Sequence, residues 1–144
     1  MSWVWKSSKL QVPIKQCLSF IEDHCFNRAT STLKEFGVDW TDISKPRNTK
    51  LDKQIPKMDA VFFHSDRFDL LIDARGFRPE DIKCKMSPNL IEIIGQRQEN
   101  ANSGNKSMTL SRNYQLPQAV KPEEGNCFFS TEGVLLVSAP WQAT

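Results

Sequence analysis

The chain has 144 residues, 39% hydrophobic and 25% charged, with 19 Lys and Arg against 17 Asp and Glu for a net charge of +2. That length suits one domain with a sizeable core rather than two, and the near-neutral balance gives no electrostatic ground for a nucleic-acid or membrane-surface partner. No apolar run reaches the length of a membrane span, and Lys6, Ser7, Ser8 and Lys9 interrupt the apolar core that a secretory leader needs. The expected compartment is the cytosol, with the nucleus second. Cys17, Cys25, Cys84 and Cys127 are then expected as free thiols, and their spacing offers no Cys-x-x-Cys pair for zinc or thioredoxin-type chemistry.

In chain order, Pro13 stands where a helix can start. Ile14, Cys17, Leu18, Ile21 and Cys25 follow at helical spacing. A second short helix is expected through Ser31-Thr32-Leu33-Lys34-Glu35-Phe36, capped by Ser31 or Thr32. Trp3, Trp5, Phe20, Phe26, Phe36 and Trp40 make this region aromatic. Both a docked helical subdomain and a mobile amphipathic arm fit that composition, the docked form being the simpler. Residues 44–58 read as a basic linker carrying Lys45, Arg47, Lys50, Lys53 and Lys57 without interleaved aromatics, so solvated charge explains them better than RNA or lipid binding.

From residue 59 the period changes to two. Phe68, Leu70, Ile72 and Ala74 share one face, and Ile82, Cys84 and Met86 point inward while Lys83 and Lys85 point outward. Further strands are expected over 90–98, 108–114, 126–130 and 134–139, the last two joined by Thr131-Glu132-Gly133. Six short strands with turn signals between them predict an all-β sandwich of two antiparallel sheets. In the 108–114 strand, Arg112 shares an otherwise apolar row with Met108, Leu110 and Tyr114. A guanidinium in such a row needs a carboxylate, from the same chain or across an interface.

Catalytic constellations are not legible. His24 and His64 lack a Ser, Cys or acid at a recognisable spacing, and Glu80-Asp81 after Pro79 reads as a turn cap. Cys17, His24 and Cys25 supply too few ligands for a structural zinc site. No metal, no cofactor and no enzymatic activity are expected.

Several motifs in order carry a resemblance: Phe77-Arg78-Pro79-Glu80-Asp81-Ile82, Ile91-Glu92-Ile93, Gly95, Tyr114, Leu116-Pro117, Val120, Pro122, Ser130, Glu132-Gly133-Val134-Leu135, Val137 and Ala139-Pro140. Over about residues 59–141 the sequence resembles the alpha-crystallin domain of the animal small heat-shock proteins. The resemblance implies an immunoglobulin-like antiparallel β-sandwich over 59–141. Ahead of it would lie a partly helical or disordered amphipathic region and linker, 1–58, and after it a residual tail, 142–144. It implies an ATP-independent holdase of the heat and stress response, binding unfolding clients through exposed apolar surface. Self-association as a dimer or small oligomer, and mixed oligomers with related chains, would follow; nucleic acid and membrane are not expected partners. The alternative is an adaptor or structural protein that turns the same domain toward one native partner. A p23-like co-chaperone fits the Ile-Glu-Ile-x-Gly and Gly-Val-Leu motifs less well.

The resemblance also places a client or peptide groove between Ile82, Cys84 and Met86 on one strand and Cys127 and Phe129 on another. Cys84 and Cys127 would face each other there, with plain packing the simpler account of both. The strand bearing Met108, Leu110, Arg112 and Tyr114 would pair two subunits. Two departures stand out. The family pattern has a second arginine where this sequence has Met108, and the preceding loop, Glu99-Asn100-Ala101-Asn102-Ser103-Gly104-Asn105, has no acid after Glu99, which leaves Glu99 as the expected partner of Arg112. The sequence ends Trp141-Gln142-Ala143-Thr144 without the Ile-x-Ile or Ile-x-Val motif that docks in a neighbour's groove. Dimers or a few dimers are therefore expected, with the groove empty or filled from the N-terminal side.

Overall fold

The computed structural model describes residues 9–17, 19, 23–35, 59–101 and 104–142. The basic linker, Trp3, Trp5, Leu18, Phe20, Ile21, Phe36, Trp40, the last two residues and the side chains of 99–106, Glu99 among them, lie outside the described residues.

Nine strands and one helix are present in the described residues: β1 (Leu10–Val12), β2 (Ile14–Gln16), α1 (Asn27–Glu35), β3 (Ala60–Phe63), β4 (Arg67–Asp73), β5 (Ile82–Met86), β6 (Leu90–Ala101), β7 (Gly104–Gln115), β8 (Asn126–Phe129) and β9 (Val134–Pro140). They form two facing sheets, ordered β1-β5-β6-β7 and β2-β8-β9-β4-β3. Every pairing is antiparallel except β2 with β8. The expected sandwich is present.

The alternating residues do what their period dictates. Phe68, Leu70, Ile72 and Ala74 meet Ile82, Cys84, Met86, Ile91 and Ile93 in one core between the sheets. Lys83 stays exposed on the other face of β5. The five-stranded sheet is also covered outside. Phe26, Ala29 and Leu33, from the turn His24–Phe26 and α1, pack on Leu71, Val134 and Leu136. That second cover is why β4 and β9 are buried along nearly their whole length, as expected of a strand sandwiched on both faces.

Two turns fix the strand ends. Gly133 has φ +95°, and a side chain there would come within 2.7 Å of the Arg75 Cα, so the β8–β9 turn needs glycine. Pro79–Asp81 forms a short 3-10 turn ahead of β5, where the Arg78 N–H donates to Asp81 Oδ2 at 2.8 Å. Burial opposes ionisation of Asp81, but the Arg78 amide and guanidinium outweigh it and hold the carboxyl below its ordinary value.

The N-terminal region differs from its expected form. Residues 14–16 are a strand, not the first turn of a helix, and the helix begins at Asn27, ahead of the expected Ser31. Leu10, Val12 and Ile14 satisfy unpaired backbone groups on two sheet edges, a long-range demand that overrides the local helical spacing of Ile14 and Cys17. Pro13, which has no N–H to donate, stands between the two short strands where the segment passes from one sheet to the other.

Candidate functional site

The residues expected to line a groove lie on β5 and β8, the neighbouring edges of the two sheets. Ile82, Cys84, Met86, Cys127 and Phe129 are all buried and belong to the main core. Cys84 and Cys127 meet there. The hydrogen bond from Cys84, with burial, pushes the Cys127 thiol far above its ordinary range.

The groove is filled. Leu10, Gln11 and Val12 run antiparallel along β5, opposite Met86, Lys85 and Cys84. Beyond Pro13, Ile14, Lys15 and Gln16 run parallel to β8, opposite Cys127, Phe128 and Phe129. The Cys17 N–H extends this pairing with a 2.8 Å bond to the Phe129 carbonyl. Val12 is only 4% exposed and joins the core, Ile14 packs against it, and Leu10 remains 43% exposed. Burial of a valine side chain contributes roughly 1.5–3 kcal/mol, and each new main-chain hydrogen bond about 0.5–1.5 kcal/mol. One seven-residue strap thus closes both edges on this side of the sandwich.

On the opposite side β3 and β7 are the outer strands, and no strand covers either among the described residues. Arg112, half-buried, donates from Nε to Asp59 Oδ2 at 2.7 Å and from a terminal nitrogen to the Ser111 carbonyl at 3.0 Å. The Tyr114 hydroxyl donates to the same carboxylate oxygen. Burial, then the bond to Asp59, pushes that phenol well above its ordinary range. Leu110 is buried, Met108 lies over Gly76, and both pack with Tyr114 on the core. Arg112 is therefore paired with Asp59 of the same chain; the side chain of Glu99, its expected partner, lies outside the described residues. Asp59 escapes a sequence reading because it stands 53 residues from Arg112. Its only signal is an acid directly ahead of the apolar Ala60-Val61-Phe62-Phe63.

Both histidines have local partners. His64 Nε2 lies 2.9 Å from Oδ2 of the fully buried Asp69, which Arg67 also approaches at 3.1 Å, and His24 Nδ1 lies 3.3 Å from the Asn27 amide. Cys17 and Cys25 place their sulfurs 3.0 Å apart. Among the described residues they form with Asp23 a group whose ligand atoms lie within 4.8 Å of one another, three where a structural zinc site needs four.

A β-sandwich that accepts an extended segment along its edge has the form of a strand-addition docking domain. The Hsp20/alpha crystallin family pattern matches residues 61–144, more than half of the chain, and the chain belongs to that family. It is 31% identical over 80 residues to "Protein lethal(2)essential for life" of Drosophila melanogaster, covering 55% of this chain and 43% of that protein. It is 37% identical over 76 residues to the alpha-crystallin A chain of Tamandua mexicana, covering 52% and 45%. The chain thus spans less than half the length of these relatives. Among solved structures, the rat alpha crystallin domain superposes with a TM-score of 0.50 at 28% identity, covering 62% of this chain and 94% of that one. Stress-induced protein 1 from Caenorhabditis elegans superposes at 0.53 with 21% identity, covering 59% and 88%, a likeness of fold.

Proposed function

We propose that this chain is an ATP-independent holdase, which keeps unfolding proteins from aggregating by pairing with their apolar strands and performs no covalent chemistry. In this reading the β5/β8 groove is the client-binding element, and Leu10–Gln16 is its resident occupant. The observation that carries the reading is the strap itself. An extended segment with apolar residues at alternate positions is bound through main-chain hydrogen bonds on both sides, the mode by which an unfolded strand of varied sequence can be held. Clients must displace it, so capture is favoured when heat loosens the strap and unfolds the client together. The β7 edge, whose Arg112 is already neutralised by Asp59, is the surface proposed for self-association as a dimer or small oligomer, in the cytosol.

The test is to heat an aggregation-prone client with stoichiometric protein and follow turbidity. Suppression that grows with temperature supports the holdase. No suppression at any temperature rejects it. The filled groove also suits an adaptor that yields only to one native strand; a partner that binds at ambient temperature and displaces residues 10–16, without suppressing turbidity, is the outcome that reading requires.

A further inference from the structure

Of the four cysteines, Cys84 and Cys127 are enclosed in the core, whereas Cys17 and Cys25 are half-buried. The two sulfurs of the second pair lie 3.0 Å apart across eight residues of sequence. Each is held by a different, separately anchored piece. Cys17 ends the strap and is bonded through its N–H to β8. Cys25 sits in the turn ahead of α1, next to Phe26, which is fully buried against the outer face of the five-stranded sheet. Cys25 also lines a cleft of about 360 Å³ with His24, Asn27, Arg28, Arg67 and Asn126, which opens the Cys25 side of the pair to small solutes.

We propose that Cys17 and Cys25 are an oxidation site, at which a peroxide closes a disulfide that fastens the strap in the β5/β8 groove. The consequence for clients rests on the holdase reading; the bond and the fastening do not. Joining the sulfurs needs an approach of only about 1 Å. Burial, and then the hydrogen bond to Cys17, pushes the Cys25 thiol up to about 12, which disfavours Cys25 as the first nucleophile, and Cys17, half-buried rather than enclosed, reacts first. Its sulfur attacks one oxygen of hydrogen peroxide, the O–O bond breaks, and water leaves a sulfenic acid. The Cys25 sulfur then forms the S–S bond as the S–O bond breaks, and its proton departs with a second water. Two thiols lose two electrons, and one peroxide becomes two waters. The cluster's other ligand, Asp23, is already engaged at Oδ2 by the Ser19 N–H at 3.1 Å. His24 is turned to Asn27. Oxidation is therefore the better-supported chemistry of this pair than a metal.

The test uses the full chain, fully reduced or treated with hydrogen peroxide and quenched, then alkylated and digested with trypsin. Both cysteines fall in one peptide, Gln16–Arg28, which has no internal Lys or Arg. After peroxide it should lose two hydrogens and take up no alkyl group, while Cys84 and Cys127 stay reduced. Native-state hydrogen exchange at Val12 and Ile14 should slow about tenfold on oxidation, because the cross-link removes the freedom of the released strap. Cys25→Ser, which keeps a small hydrogen-bonding side chain, should fold normally and lose the slowing. Preferential oxidation of Cys84 and Cys127, free alkylation of Cys17 and Cys25 after peroxide, or a disulfide that leaves exchange unchanged would each overturn the proposal. So would protection lifted by a chelator and not by a reductant, which would make the cluster a metal site. Failure of the reduced protein to suppress turbidity would sink the holdase reading and leave these readouts standing.

Discussion

The two sides of this sandwich solve the same problem differently. Both expose sheet edges, which present unpaired backbone groups to any passing strand. On the β5/β8 side the chain covers its own edges with Leu10–Gln16, through backbone hydrogen bonds and the buried Val12. On the β3/β7 side no strand covers the edges among the described residues, and an ionic cluster, Asp59 with Arg112 and Tyr114, ties the sheets together. Backbone pairing is indifferent to sequence and therefore exchangeable, so the covered side suits varied strands. A charge cluster is geometrically specific, so the bare side suits a fixed partner such as a second copy.

The largest effect is expected at Val12. Val12→Asp puts an uncompensated carboxylate into the core, and the strap should leave rather than the domain unfold. A loss of about 3 kcal/mol of strap docking is expected, seen as roughly 100-fold faster amide exchange along β5 and β8 with β4 and β9 unchanged. Arg112→Gly comes next. It leaves Asp59 buried without its cation, at a cost of about 2 kcal/mol after allowing for the partial exposure of the arginine. Denaturant unfolding should detect that loss, with Asp59→Asn reproducing part of it and Glu99→Gln little. If Glu99→Gln proved as damaging as Asp59→Asn, the ionic account of that side would fail.

A smaller effect concerns α1, whose Arg28 binds Asp66 through two hydrogen bonds of 2.9 and 2.7 Å. The Arg28 hydrogen bonds hold the Asp66 carboxyl down to about 2. A carboxyl depressed in the folded state stabilises it fully above the ordinary carboxylate value of about 4, and that contribution is lost as pH falls from about 4 to about 2. The pair is exposed, so the change stays below about 1 kcal/mol. It should appear as acid-induced fraying of the helix by circular dichroism, absent in Arg28→Ala. Smallest of all is Leu10→Ala, expected within about 0.5 kcal/mol because that side chain remains 43% exposed.

What could be read beforehand follows the same division. The strands from residue 67 onward announce themselves because each turns alternate residues inward or, in β4 and β9, buries nearly all of them, and Gly133 and Pro79 mark their ends; β3, with no fully buried residue, was not foreseen. The strap does not. Ile14 and Cys17 fit a helical period as well as they fit β2, and only the vacant edges of β5 and β8, some 70 to 110 residues away by register, decide between them. Asp59 was illegible for the same reason: nothing local distinguishes an acid that reaches across two sheets from one that ends a linker. Arg112, an arginine in an apolar row, did declare that a carboxylate was needed, without saying which.

The central claim is that the groove holds the chain's own segment. Native-state hydrogen exchange on the reduced full chain tests it most directly. The account predicts that the hydrogen-bonded amides between Leu10 and Cys17 are protected, and that the outward amides of β5 and β8 open together with them as one unit. Exchange of residues 10–17 at free-chain rates, with β4 and β9 still protected, would contradict it.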